Sequence, residues 1–133
     1  MHDRSKESWF RRMPVWRLLA VLCVLALWVM SLWPAEDLLR LGARHVNDKV
    51  GHFIGYLALA CLLSLGWPRL PGWCVWVIAF LCGAAIEVAQ SFAPTRGFEW
   101  WDMVANGAGA LAGVLIVIPL WRYLLRSRRR SSD

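Results

Sequence analysis

The chain has 133 residues, 59% of them apolar and ten of them Trp, with a mean hydropathy of +0.46, which is too apolar for a soluble domain of this size. The net charge of +6 does not indicate a nucleic-acid binder, because the basic residues gather at the two ends instead of interleaving with aromatics on a folded face. Four apolar segments can be read, roughly residues 15–33, 50–67, 73–90 and 103–121, each near the ~20 residues a helix needs to cross a bilayer. The expected fold is therefore all-α, an integral membrane up-down bundle of four transmembrane helices. The single domain covers residues 15–121 and lies between basic tails at 1–14 and 122–133.

The N-terminal tail carries Arg4, Lys6, Arg11 and Arg12, with Trp9 and Phe10 among them. It suits either an anionic membrane surface or a mobile tail. The first apolar segment has a basic start like a signal peptide. However, its run from 18 to 32 is long for such a core, and Trp33-Pro34 offers no small-residue cleavage pattern. It reads as a retained anchor.

The connection 34–49 balances Glu36, Asp37 and Asp48 against Arg40, Arg44 and Lys49. With Leu38, Leu39, Leu41 and Val46 it has the periodicity of a short interfacial helix. Asn47 or Asp48 can cap the second helix. Lys49, His52 and Tyr56 then fall on one helix face, and Gly51 and Gly55 form a GxxxG pair suited to close helix packing.

The turn 66–72, GWPRLPG, has two Pro and two Gly and excludes a continuous helix, so it makes an antiparallel hairpin. Eleven of the fifteen Lys and Arg then lie on one side: Arg4, Lys6, Arg11, Arg12 and Arg17, Arg69, and Arg122, Arg126, Arg128, Arg129 and Arg130. By the positive-inside rule both termini are cytoplasmic. Trp16, Trp67, Trp73 and Trp121 fall at the inner interface and Trp33, Trp100 and Trp101 at the outer one, as aromatic belts do. Trp28 and Trp76 lie deeper and suit packing.

The third segment ends with Glu87 and Gln90 on one stripe with Gly83, Glu87 lying about 4.5 Å below Gln90 along the axis. The fourth opens with Asp102, Asn106, Gly109 and Gly113 at the spacing of a single helix face. In a four-span topology these polar residues meet Lys49, His52 and Tyr56 at one bilayer level, the outer one, with Arg96 in the loop above. Polar side chains at such depth face protein or trapped water. Glu87 is expected to find a basic partner in Lys49, His52 or Arg96. Cys23, Cys61, Cys74 and Cys82 each lie within an apolar segment without metal-site or redox spacing and read as packing residues.

The motifs DKVGHFIGYLAL and EVAQSFAPTRGFEWWDMVANGAGALAG, with four-span hydropathy, resemble the VanZ-like membrane proteins, named for a protein associated with resistance to the glycopeptide antibiotic teicoplanin. The resemblance is strongest over residues 48–113. The set Asp48, Lys49, His52, Phe53, Tyr56, Glu87, Gln90, Arg96, Asp102, Asn106 and Gly109 looks like the family motif. It implies a multi-pass cell-envelope protein of the cytoplasmic (inner) membrane of a bacterium, related to antibiotic resistance.

The expected role is recognition of a lipid headgroup, or of a lipid-linked envelope precursor or glycolipid, at the outer interface. The ligand-binding candidates are Lys49, His52, Tyr56, Glu87, Gln90, Arg96, Asp102 and Asn106: two cations for phosphate or carboxylate, two amides for hydrogen bonds, and Trp100 or Trp101 against a sugar or acyl chain. One alternative is a membrane-embedded hydrolase or transferase acting on a lipid-linked substrate, with His52 and Glu87 or Asp102 as acid and base. No nucleophile pattern accompanies that pair, so binding is preferred to catalysis. A structural bundle and a proton or ion translocator are further alternatives, the last disfavoured by an inner half almost free of polar groups. No cofactor is expected, and no HxxxH or ExxH spacing points to a metal. The partners are membrane lipids, not nucleic acid, and Gly-rich helix faces offer a route to a homo-oligomer.

Overall fold

A computed structural model describes residues 4–33, 48–93 and 97–130, with side chains described over the parts of these from 12 to 120. The described residues form four helices and no strand: α1 Arg4–Leu32, α2 Asp48–Gly66, α3 Gly72–Ser91 and α4 Trp100–Arg130. All four are long and apolar enough to cross a membrane, over Arg12–Leu32, Asp48–Gly66, Gly72–Ser91 and Trp100–Leu120. The protein is an all-α up-down bundle. The interfacial helix expected in 34–49 falls outside the described residues, save for its last two, which open α2.

α1 and α4 both run beyond the predicted spans, to Arg4 and Arg130. Apolar periodicity stops where the tails become charged, but Arg, Lys, Glu and Ser continue a helix at little cost. Pro14 and Pro119 lie inside these helices, each withholding one N–H from the helical ladder. Between α2 and α3 the Leu70 N–H donates to Trp67 O at 3.0 Å, and Pro71, extended at φ −66°, ψ 149°, accepts from the Cys74 N–H at 2.9 Å. The hairpin predicted from its two Pro and two Gly thus closes within five residues.

The most extensive helix contact is between α2 and α4, and glycine explains it. A Cβ on Gly113 would lie 2.6 Å from Leu57 O and 2.9 Å from Ala60 Cβ, and one on Gly109 would collide with Phe53 O. The Cys61 thiol reaches Gly113 O at 3.8 Å. Lipid offers little apolar driving force for helix association, so such backbone approach, with its van der Waals contact, holds membrane helices together. The GxxxG pair of α2 behaves differently: Gly55 faces Leu27 of α1 and Gly51 is exposed.

α1 is the peripheral helix. Its Val21, Leu22, Leu25, Val29 and Met30 are exposed, as lipid-facing residues are in a bilayer. Polar ties fasten it to the bundle at both ends. Arg17 Nε donates to Gly66 O at 3.0 Å, satisfying a carbonyl at the C-terminal end of α2, and its guanidinium lies 5.3 Å from the Trp67 ring centroid. At the other end Gln90 Nε2 donates to Ser31 O at 2.8 Å. Trp73, Trp100 and Trp101 are exposed at the bundle ends, where belts place them, whereas Trp76 is half-buried and donates to Gly107 O at 3.0 Å. The four cysteines are free and half-buried.

Candidate functional site

α2 and α4 begin, and α3 ends, at the same end of the bundle, so up-down topology gathers the polar residues that open and close these helices. His52 and Asn106 lie about one turn into α2 and α4, Asp102 in the first turn of α4, and Glu87 and Gln90 in the last turns of α3. All five are buried: His52 is 7% exposed, Asp102 3%, Gln90 2%, and Glu87 and Asn106 0%. Burial of this kind is costly unless each polar atom is satisfied.

His52 is the centre. Its Nδ1 lies 2.8 Å from Asn106 Oδ1. An amide oxygen only accepts, so Nδ1–H donates and the ring turns Nε2 toward the carboxylates. Asp102 Oδ2 is 3.6 Å and Asp48 Oδ1 4.0 Å from Nε2. Gly83 makes this possible, since a Cβ there would lie 2.7 Å from Asn106 Nδ2. Tyr56, one turn along, lays its ring parallel to the imidazole, 4° apart in plane and 6.5 Å between centroids.

Lys49 pairs with Glu99 Oε2 at 3.2 Å and Asp102 Oδ1 at 3.5 Å. The basic partner expected for Glu87 is not found among the described residues. Its Oε2 accepts the Glu99 backbone N–H at 3.2 Å instead, because the Lys49 ammonium is held by two other carboxylates and the chain entering α4 supplies a donor. Arg96 lies outside the described residues. Gln90 is at the same level but commits its amide donor to the end of α1.

Two residues missing from the predicted set belong here. Glu99 bonds both Lys49 and Glu87, and its carbonyl accepts from the Asp102 N–H at 3.1 Å as α4 opens. Asp48, read first as a helix cap, approaches His52. The available signal was an acidic residue at the start of an apolar helix, where the helix dipole favours it.

Among the described residues, Tyr56 Oη, Glu87 Oε1, Asp102 Oδ1 and Asn106 Nδ2 are buried without a hydrogen-bond partner; for Asp102 Oδ1 the Lys49 ammonium stands at ion-pair distance only. Such atoms mark where water, an ion or a ligand sits. Asp48, His52 and Asp102 bring one ligand atom each to within 4.8 Å of one another. A nucleophile is less evident: Ser91 Oγ is exposed and donates to Val88 O at 2.6 Å, and Thr95 lies outside the described residues. Beside the cluster, Phe98 and Trp100 meet edge to face at 4.9 Å, and Trp100 and Trp101 are exposed.

No curated protein and no solved structure matches the chain. A family model described as VanZ/LLP1 matches residues 18–124, a stretch that takes in most of the first membrane span, the whole of the other three and every residue of the polar cluster. The chain is a member of the VanZ/LLP1 family.

Proposed function

We propose that the polar cluster recognises the headgroup of a lipid or of a lipid-linked envelope precursor at the outer face of a bacterial inner membrane. The observation that supports this most is the convergence of His52, Glu87, Asp102 and Asn106, all buried, from three helices at one end of a membrane bundle, with several polar atoms unpartnered among the described residues. A bundle needing only to hold together gains nothing from such atoms. Among the described residues four carboxylates, Asp48, Glu87, Glu99 and Asp102, stand against Lys49 and His52, so the favoured headgroup offers hydroxyl or amine donors, or brings its phosphate together with a cation. Trp100 and Trp101 are placed to lie against a sugar or acyl chain.

The orientation rests on the charge asymmetry of the tails and of Arg69. Reporter fusions at Arg69 and after Asp133 are expected to report the cytoplasm; external readings at both would move the cluster to the inner face. Native mass spectrometry of protein extracted in mild detergent tests the ligand: a retained phospholipid or polyprenyl-linked species is expected, and clean unliganded protein contradicts the reading. The His52–Asp102 approach also suits acid–base chemistry, and release of a cleaved headgroup from supplied lipid would turn the binding site into that of a hydrolase or transferase.

A further inference from the structure

We infer that Asp48, His52 and Asp102 form a divalent-cation site at the polar end of the α2–α4 seam. Three observations converge on it.

The first is the direction of the imidazole. With Nδ1–H donating to Asn106 Oδ1 at 2.8 Å, His52 turns Nε2 toward two carboxylate oxygens at 3.6 and 4.0 Å. One ring nitrogen and two carboxylate oxygens converging in this way are three electron-pair donors aimed at one point, an arrangement that a cation between them satisfies. Metal-bound histidines characteristically donate their other ring N–H to a fixed acceptor, which sets tautomer and orientation. Asn106, itself wholly buried and seated over Gly83, is such an acceptor.

The second is spacing. At 3.6 and 4.0 Å the His52–carboxylate distances are too long for hydrogen bonds. They are close to the ~3.4 Å separating two ligand atoms that each lie ~2.1 Å from a tetrahedral ion. All three ligand atoms fall within 4.8 Å of one another.

The third is charge and unmet valence. Asp102 is 3% exposed and its Oδ1 makes no hydrogen bond; Glu87 is wholly buried and its Oε1 makes none among the described residues. Among the described residues, the charged groups packed around the site are Lys49 on α2, Glu87 on α3, and Glu99 and Asp102 where α4 begins. The Lys49 ammonium lies along the Oδ1 edge of Asp102 and is shared with Glu99, leaving the Oδ2 edge toward His52. One imidazole and two carboxylates are a donor set for Mn2+ or Zn2+, and three protein ligands leave coordination positions open to water or to a ligand oxygen. The site stands on these side chains alone and does not require the headgroup reading.

The test uses full-length protein in detergent, stripped with a chelator, desalted, and titrated with Mn2+ while the free-ion paramagnetic resonance signal is followed, then separately with Zn2+ by calorimetry. Saturable binding of one ion per chain is expected, with spin-echo modulation from a directly bonded nitrogen in the Mn2+ form. His52→Ala removes that modulation. Asp48→Asn, an exposed change that leaves the bundle intact, weakens binding at least tenfold, and Asn106→Leu weakens it about 10- to 100-fold by freeing the imidazole. Absence of saturable binding for both ions, or affinity unchanged in both Asp48→Asn and His52→Ala, overturns the site.

Discussion

The α2–α4 seam is built in two ways along its length. Toward its middle, around Gly109 and Gly113, it is held by backbone lying on backbone. Toward its polar end, around His52, Asp102 and Asn106, the same helices meet through one short hydrogen bond, two longer ion-pair approaches and atoms left without partners. The glycine region has no spare valence and no room, so all its chemistry goes into association. Among the described residues the polar region has valence left over. One seam thus joins a stretch committed to helix association and a stretch whose polar groups are not all spent on it.

The sharpest way to break the glycine region is Gly113→Leu or Gly109→Leu. No rotamer avoids the carbonyls of Leu57 or Phe53, so the helices must part, at or above the upper end of the ~1–3 kcal/mol typical of overpacking. Membrane-inserted yield and thermal unfolding in detergent should both collapse. Gly83→Ala is a smaller wedge at the polar end. Its Cβ displaces the Asn106 amide and with it the acceptor that orients His52, at about 1–3 kcal/mol, with ligand or ion binding lost while most protein still folds.

Asp102→Asn keeps the shape but removes the charge facing Lys49 and His52. It should cost ~1 kcal/mol or less and abolish function; His52→Ala should abolish function too, at a somewhat greater cost because Asn106 Oδ1 loses its donor. The smallest effect is expected far from this end. Arg17→Ala loses the hydrogen bond to Gly66 O and the contact with Trp67, costing up to about 1 kcal/mol. Ligand retention should stay at the wild-type level, measured on the same preparations.

Hydropathy and helix spacing made most of the architecture legible. Four segments, the hairpin at residues 66–72, and the run Asp102, Asn106, Gly109, Gly113 all follow from periods that a helix imposes on its own sequence. What crosses between helices was less legible. The GxxxG of α2 pointed to a close approach, and Gly55 does meet Leu27 of α1 closely, whereas the tightest backbone contacts come from Gly109 and Gly113 of α4. Of the cations expected to pair with Glu87, Arg96 lies outside the described residues; the bond that is described comes from a backbone N–H, a donor present at every residue and so invisible in sequence. Glu99 was missed because its role depends on how the chain turns into α4. Asp48, His52 and Asp102 all stand in the family motif, but their meeting could not be read from local spacing because the cluster is assembled from the starts of two helices fifty residues apart in sequence.

The central claim, that the polar end is kept for a ligand and not for stability, is tested most directly by measuring lipid retention and thermal unfolding together on wild type, Asp102→Asn and Gly113→Leu. The account predicts that wild type carries a headgroup-bearing lipid through native mass spectrometry, that Asp102→Asn loses it while unfolding within about 1 kcal/mol of wild type, and that Gly113→Leu fails at folding. If Asp102→Asn unfolds as badly as Gly113→Leu, or wild type retains no lipid, the cluster is a structural network and the recognition reading falls.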